Sequence, residues 1–242
     1  MIEIIHKEIR GFLSSLIAYV VMLVFLIATG LFNWVLPDIN ILDNGYANLD
    51  SLFSMAPWLL IFLISAITMK SFSEEKKNGT IEILTTRPIS DLSIILGKYF
   101  AGIILVLFTI LPTLIYWFSI SQLSVPRGNI DTGALLGSYL GLLLISSCFV
   151  AIGIFASLIS ENQIVSFVST LFICFCLYWI FDLIADFKLL GKFDSVVSSL
   201  GIQSHYQSIS RGVLDSRDLI YFLSLNTIFI SAAKLVFGSR KW

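Results

Sequence analysis

The sequence predicts an all-α integral membrane protein with six membrane-spanning helices. Of its 242 residues, 57% are hydrophobic and only 13% are charged, whereas a soluble domain carries about 25% charged residues. The mean hydropathy is +0.92. Charge is also unevenly placed, because six long runs have no charged residue in their middle and the charged residues collect between them. An apolar run of about 20 residues is the length of a helix that crosses a bilayer.

The predicted spans follow one another within a single domain of residues 1–242. They lie at about residues 12–34, 52–69, 98–120, 133–158, 163–183 and 219–237. Ser90-Asp91 is expected to cap the start of the third span, and Pro112 to bend it. Ser160-Glu161-Asn162-Gln163 has the spacing of a capping box and predicts a short hairpin into the fifth span. Residues 70–97 form a loop on one side of the membrane, and 185–218 form a longer segment on the other side.

The first ten residues have the pattern of an amphipathic helix. Ile2, Ile5 and Ile9 recur at helical spacing, with charged residues between them. Such a helix is suited to lying in the membrane surface. The alternative is that these residues simply extend the first span.

The distribution of basic residues predicts that both termini are cytoplasmic. With six spans and both termini inside, ten Lys and Arg residues fall on the cytoplasmic side and five on the outer side, as the positive-inside rule requires. The ten are Lys7, Arg10, Lys70, Lys76, Lys77, Arg87, Lys98, Lys234, Arg240 and Lys241; the five are Arg127, Lys188, Lys192, Arg211 and Arg217. Trp34, Trp58, Trp117 and Trp179 all fall at predicted outer ends, where an aromatic belt lies.

The sequence argues against an enzyme and against an ion-driven carrier. The middles of the six runs hold no Asp, Glu, Lys, Arg or His, whereas carriers driven by protons or sodium place ionisable groups of this kind inside the membrane. No phosphate-binding loop motif is present, so ATP hydrolysis by that route is excluded. His6 and His205 are expected at opposite faces, so they form neither a metal site nor a catalytic triad. The net charge of −1 suggests no nucleic-acid partner. We therefore predict no catalytic residue, no metal and no cofactor in this chain.

The main concentration of charge lies between the second and third spans, from Lys70 to Asp91. Asn78-Gly79 marks a turn, at which Gly79 is expected to adopt a positive φ angle. The residues from Thr80 to Thr86 have room for about two helical turns. In that helix Ile81 and Leu84 would share one face and Glu82 would lie on another.

This loop resembles the cytoplasmic coupling loop of the type 2 ABC-exporter permeases. The resemblance is carried by Glu74-Glu75-Lys76-Lys77-x-Gly79-Thr80-x-Glu82-x-Leu84-x-Thr86-x-Pro88. Later stretches resemble the permease subunit associated with bacterial gliding motility. They are Gly128-Asn129-Ile130-Asp131-Thr132-Gly133, Gly137-Ser138-Tyr139-Leu140-Gly141-Leu142, Ala151-Ile152-Gly153-Ile154-Phe155-Ala156-Ser157, His205-Tyr206-x-Ser208-Ile209-Ser210-Arg211-Gly212-Val213 and Arg217-Asp218-Leu219-Ile220-Tyr221-Phe222-Leu223-Ser224. The chain departs from the pattern at Leu16 and Ser65, where proline is usual.

The resemblance implies an architecture and a set of contact residues. It implies an elbow helix at Met1 to Arg10, a coupling helix near Thr80 to Thr86, and short re-entrant helices outside, between Phe187 and Asp215. The residues expected to contact the ATPase are Glu74, Glu75, Gly79, Thr80, Ile81, Glu82, Leu84 and Arg87, with a secondary cytoplasmic loop at Glu161, Asn162 and Gln163.

The resemblance also implies partners and a function. A separate ABC ATPase subunit would bind and hydrolyse ATP, and a second permease subunit, identical or related, would complete the transport path. The protein would sit in the bacterial inner membrane and couple hydrolysis to export across that membrane or extraction from it, with gliding motility as the associated process. Two alternatives stay open. The first is a membrane scaffold of an envelope machine, and the second is an ATP-independent carrier or channel.

Overall fold

The computed structural model describes residues 1–37, 40–43, 45–82, 89–188, 191, 194–213 and 215–239. These residues form helices joined by turns, with no strand among them. Six helices are long and apolar enough to cross a membrane, which confirms the predicted all-helical chain with six candidate spans. They are Leu16–Trp34, Asp50–Lys77, Asp91–Leu123, Thr132–Ile159, Gln163–Asp186 and Ser216–Gly238, named spans 1 to 6 in this order.

Spans 2, 3 and 5 change helical geometry along their length. Span 2 contains Asp50–Thr68 and a short helix, Ser73–Lys77, which we call the arm helix. Span 3 contains Asp91–Ile110, a 3-10 turn at Leu111–Thr113, and Leu114–Leu123. Span 5 contains Gln163–Phe175, a π-helical stretch at Cys176–Ile180, and Phe181–Asp186. The 3-10 turn holds Pro112, which has no N–H for the regular helical ladder. It lies where the sequence predicts a bend.

A separate N-terminal helix, Ile2–Leu13, precedes span 1. It is not an extension of that span, because Ser15 between them has extended backbone angles, with φ −92° and ψ 134°. Ile4 is buried, and Glu3, His6 and Arg10 on other faces of the helix are exposed. The helix is therefore amphipathic, and its apolar side packs at least in part on the rest of the chain.

The two predicted helix caps have opposite outcomes. Ser90 caps span 3 as predicted, since its side chain accepts a hydrogen bond from the Ser93 amide. The capping box predicted at Ser160 is wrong, because span 5 begins at Gln163 and its cap is Asn162. The Asn162 carboxamide oxygen accepts from the Ile164 amide at 2.9 Å, whereas Ser160 bonds to the backbone of Asn162 itself. Gln163 is thus the first helical residue and cannot close a capping box.

Span 4 lies at the centre of the bundle. It contacts spans 2, 3, 5 and 6, and 72% of its most apolar window is buried, against 22% for spans 1, 5 and 6. A hydrogen-bonded group joins three of these spans, because Asn226 accepts from the Tyr99 hydroxyl at 3.1 Å and donates to the Ser147 hydroxyl at 2.8 Å. Side-chain hydrogen bonds between membrane helices contribute about 0.6 kcal/mol each on average.

Two short helices, Asp194–Ser198 and Ile202–Ser210, lie between spans 5 and 6. The second packs on span 4, and the Tyr206 hydroxyl donates to the Phe53 carbonyl of span 2 at 2.7 Å. His205 bridges to span 6, with Nδ1 2.7 Å from the Asp218 carboxylate and Nε2 2.8 Å from the Ser199 carbonyl. These contacts hold the segment against the end of the bundle.

Candidate functional site

The predicted contact residues of the first loop lie in the arm helix, at the end of span 2, and directly after it. Gly79 has a φ of +67°, so the predicted left-handed turn after Asn78 is confirmed. Ile81 and Glu82 are helical. The predicted coupling helix at Thr80 to Thr86 stays a prediction, because residues 83–88, which include Leu84 and Arg87, lie outside the described residues.

The predicted contact residues divide into an exposed and a buried group. Gly79, Thr80 and Glu82 are exposed, as are Lys77 and Asn78 beside them, and Glu74 is half-buried. Glu75 and Ile81 are buried against their own chain, with 9% and 7% of their surfaces exposed. We call residues 77–80 with Glu82 the exposed turn. Among the described residues of this loop, a partner protein can reach the exposed turn without rearrangement.

The second predicted loop lies beside the first. Lys76 of the arm helix donates a hydrogen bond to the Leu158 carbonyl at the end of span 4. Glu161 and Asn162 follow within a few residues and are exposed, while Gln163 is half-buried. The structure therefore brings the loops that follow spans 2 and 4 together at one end of the bundle.

Behind the exposed turn lies a buried cluster of charges centred on Lys98 of span 3. The side chain of Lys98 is 1% exposed. Its ammonium nitrogen lies 2.7 Å from Glu8 Oε1 of the N-terminal helix and 3.1 Å from Glu75 Oε2 of the arm helix. It also donates a hydrogen bond to the Ser71 carbonyl and lies 4.8 Å from the centre of the Phe72 ring. We call Lys98, Glu8 and Glu75, together with Lys7, the charge cluster.

Lys7 completes the charge cluster from its exposed side. Its ammonium donates to Glu75 Oε1 at 2.8 Å. Burial lowers the pKa of Lys7, but the hydrogen bond to Glu75 and the charges of Glu75 and Glu8 outweigh this effect and raise that pKa above its usual value. Two cations thus face two carboxylates. Such balance is needed for a buried Lys98, since an unpaired buried charge is very costly.

Sequence reasoning missed this cluster because it placed the membrane-crossing part of span 3 from residue 98 onward and so left Lys98 at its edge. The helix starts at Asp91, after the predicted cap at Ser90, and Lys98 lies inside it. One sequence signal was available: Ile94 to Leu96 and Tyr99 to Ala101 flank Lys98 with mostly apolar residues on both sides. A helix capped at Ser90 therefore has to bury this lysine and find partners for it.

A cleft of about 460 Å³ borders the cluster and lies between the N-terminal helix and spans 1 to 3. Its lining is polar near Lys7, Lys70 and Glu74 and apolar near Ile17, Ala66 and Leu105. Positive and negative side chains both line the polar part. The cleft therefore borders the charge cluster on one side of the N-terminal helix, while Ile9, Phe12 and Leu13 of the same helix pack against the hydrophobic core.

Comparison with known families identifies much of this region. A family model described as ABC-2 family transporter protein matches residues 37–193. The match includes spans 2 to 5, the arm helix and both loops at the candidate site. No curated protein matches the chain.

Proposed function

The chain belongs to the ABC-2 family of transporter proteins, and from that premise we propose that it is the membrane-spanning permease subunit of an ATP-driven exporter. It carries no catalytic residue. ATP is bound and hydrolysed by a separate ABC ATPase subunit. Two permease subunits, identical or related, enclose the path, and the complex exports a substrate across the bacterial inner membrane or extracts it from that membrane. The resemblance to the gliding-motility permease supports a role in that process.

The observation that carries the proposal is the paired exposed loops at one end of the bundle. The exposed turn and the loop at Glu161-Asn162 lie side by side, and each leads directly into buried spans. Displacement of a partner bound there would therefore move spans 2 and 4. ATP-driven closure of two ATPase subunits would move these loops, and the spans would pass that motion to the transport path. The coupling helix begins at Thr80 in this proposal.

ATPase docking is tested by introducing positive charge on the exposed turn. We expect Thr80→Arg with Glu82→Arg to reduce co-purification of the ATPase subunit at least fivefold, because disrupting interface anchors commonly costs more than about 1 kcal/mol each. Glu3→Arg on the exposed side of the N-terminal helix is the matched control and should retain the ATPase. Membrane expression of each variant is measured in parallel. Undiminished ATPase recovery with the double variant contradicts docking at the exposed turn, and failure of the wild-type chain to recover any ATPase favours a scaffold or an ATP-independent carrier.

The proposed topology places both termini in the cytoplasm. The ten-to-five basic asymmetry supports it, as do the contacts of Trp34 with Tyr116 and of Trp58 with Trp179, which group the predicted outer aromatic residues.

Cysteine labelling in whole cells tests this topology. A cysteine at exposed Tyr46 should react with a membrane-impermeant maleimide added outside, and a cysteine at Lys77 should react only after the cells are opened. These variants are made in a background in which Cys148, Cys174 and Cys176 are alanine. The reverse pattern of labelling would exclude the proposed orientation.

A further inference from the structure

We propose that Lys98 is a positioning residue that locks the N-terminal helix to the arm helix, so that both move as one body when the arm is displaced. The proposal rests on the proposed function, because ATP-driven displacement of the arm is the motion to be passed on. It adds a second route for that motion. Movement of the arm would reach span 1 through the N-terminal helix as well as reaching span 2 directly.

The geometry that carries this proposal is the meeting of three elements at one ammonium group. Glu8 comes from the N-terminal helix, Glu75 and the Ser71 carbonyl come from the arm and the turn before it, and Lys98 comes from span 3. Lys7 then joins the N-terminal helix to the arm a second time, through Glu75. The two helices thus share both a direct ion pair and a common buried cation.

Apolar packing also holds the N-terminal helix against span 3 beside Lys98. A Cβ atom added to Gly97 would lie 3.0 Å from the Ile4 side chain, so the helix sits directly on span 3 beside Lys98. Farther along the helix, Ile9, Phe12 and Leu13 pack against the hydrophobic core. The charge cluster adds ion pairs to this apolar packing, at a point where the N-terminal helix meets the arm helix.

Burial makes these contacts a lock rather than a loose surface pairing. The groups of an exposed ion pair exchange partners readily with water, and the pair contributes little to stability. Lys98 cannot exchange its carboxylates for water in this way, because withdrawing either helix would leave a buried ammonium with only one carboxylate. Separation of the N-terminal helix from the arm is therefore opposed at every position of the arm that keeps Lys98 buried.

The test compares the wild-type chain with the variant Glu8→Gln, Glu75→Gln and Lys98→Met, which removes the less exposed charges of the cluster and leaves Lys7, whose side chain is 60% exposed. We call it the charge-free variant. Replacing a buried ionic group by neutral groups of similar size is often tolerated, so this variant should fold. Spin labels are placed at exposed Arg10 and Lys77, in the background without native cysteines, and the chain is reconstituted in nanodiscs. We expect one narrow distance distribution for the wild type and a broadened one, with a second population, for the charge-free variant. Identical distributions would overturn the lock.

A second measurement uses the complex with the ATPase subunit. The charge-free variant should still recover the ATPase, since the exposed turn is unchanged and Glu75 is buried against its own chain, where a docked partner does not reach it. We expect the stimulation of ATP hydrolysis by the permease to fall at least about fivefold, the lower end of usual coupling between sites. Glu3→Gln is the control on the same helix. Wild-type stimulation in the charge-free variant would overturn the proposal.

The two measurements separate this inference from the proposed function. If no ATPase binds the wild-type chain, the proposed function fails, and the spin-label distances still decide whether the lock exists. If the charge-free variant does not fold, Lys7→Gln with Glu8→Gln replaces it. These changes keep Glu75 beside Lys98 and remove both ion pairs of the N-terminal helix, so the same broadening is expected, and an unchanged narrow distribution counts against the lock.

Discussion

Replacing Glu8 and Glu75 together by glutamine is expected to destabilise the chain by about 3–5 kcal/mol, the usual cost of leaving a buried charge without its partner. Lys98 remains buried in this double variant, with its side chain 1% exposed in the wild type. The amide oxygens and the Ser71 carbonyl can still accept hydrogen bonds, but they bring no negative charge. We therefore expect the double variant to be much less stable than the charge-free variant, although the charge-free variant carries more substitutions.

Unfolding in detergent measures this order. A thiol-reactive dye reports unfolding when Cys148 and Cys174 become accessible, because both are buried in the folded chain. A double variant at two exposed carboxylates, Glu3→Gln with Glu161→Gln, is the control and should unfold with the wild type. Equal midpoints for the double variant and the charge-free variant would show that Lys98 does not depend on these two carboxylates.

The charge cluster also shows where prediction from this sequence ends. All six spans could be predicted, because lipid-facing and core residues are both apolar and leave long uncharged runs. The burial of Lys98 within span 3 could not, since a lysine usually marks the end of such a run. Lys98 lies inside the helix only because Glu8 and Glu75 neutralise it, and no local rule relates residue 98 to residue 8. The ends of spans depend on tertiary partners in this way, whereas their middles do not.

The local sequence predicted the turn at the candidate site correctly, but it did not predict which side chains of the site are exposed. Asn78-Gly79 was sufficient to predict the positive φ at Gly79. The helical spacing at Ile81 predicted an apolar face, but it did not show whether that face meets a partner or the same chain, and Ile81 proves to be buried in its own chain. His205 and Asp218 illustrate the same limit. They lie 13 positions apart, and the hydrogen bond between them follows from the packing of the intervening segment rather than from a motif.

Gly153→Ala is the second substitution for which we expect a large loss of stability, because Gly153 lies at the contact between spans 2 and 4. A Cβ atom at this position would lie 2.1 Å from Thr68 Oγ1 and 2.7 Å from Thr68 Cβ. Thr68 has no room to turn away, because it is 1% exposed and its hydroxyl donates to the Ile64 carbonyl at 2.8 Å. Gly153→Ala therefore has to push two central spans apart. Overpacking of this kind costs typically 1–3 kcal/mol, and we expect a value of about 3 kcal/mol because a central contact between two buried spans is disturbed.

The same dye assay measures the Gly153→Ala effect as a fall in melting temperature of about 6–12 °C, at about 2–4 °C per kcal/mol for a chain of this size. Gly11→Ala is the matched control, since a Cβ there meets nothing within 4 Å. Adding Thr68→Gly to Gly153→Ala removes the atoms that clash, at a cost of only about 0.5–1 kcal/mol within a helix, so stability should partly return. A wild-type melting temperature for Gly153→Ala, or no recovery in the pair, would mean that spans 2 and 4 do not pack through this glycine. Recovery would identify the Gly153–Thr68 contact as the point that sets their spacing, and the arm helix follows from Thr68 within five residues.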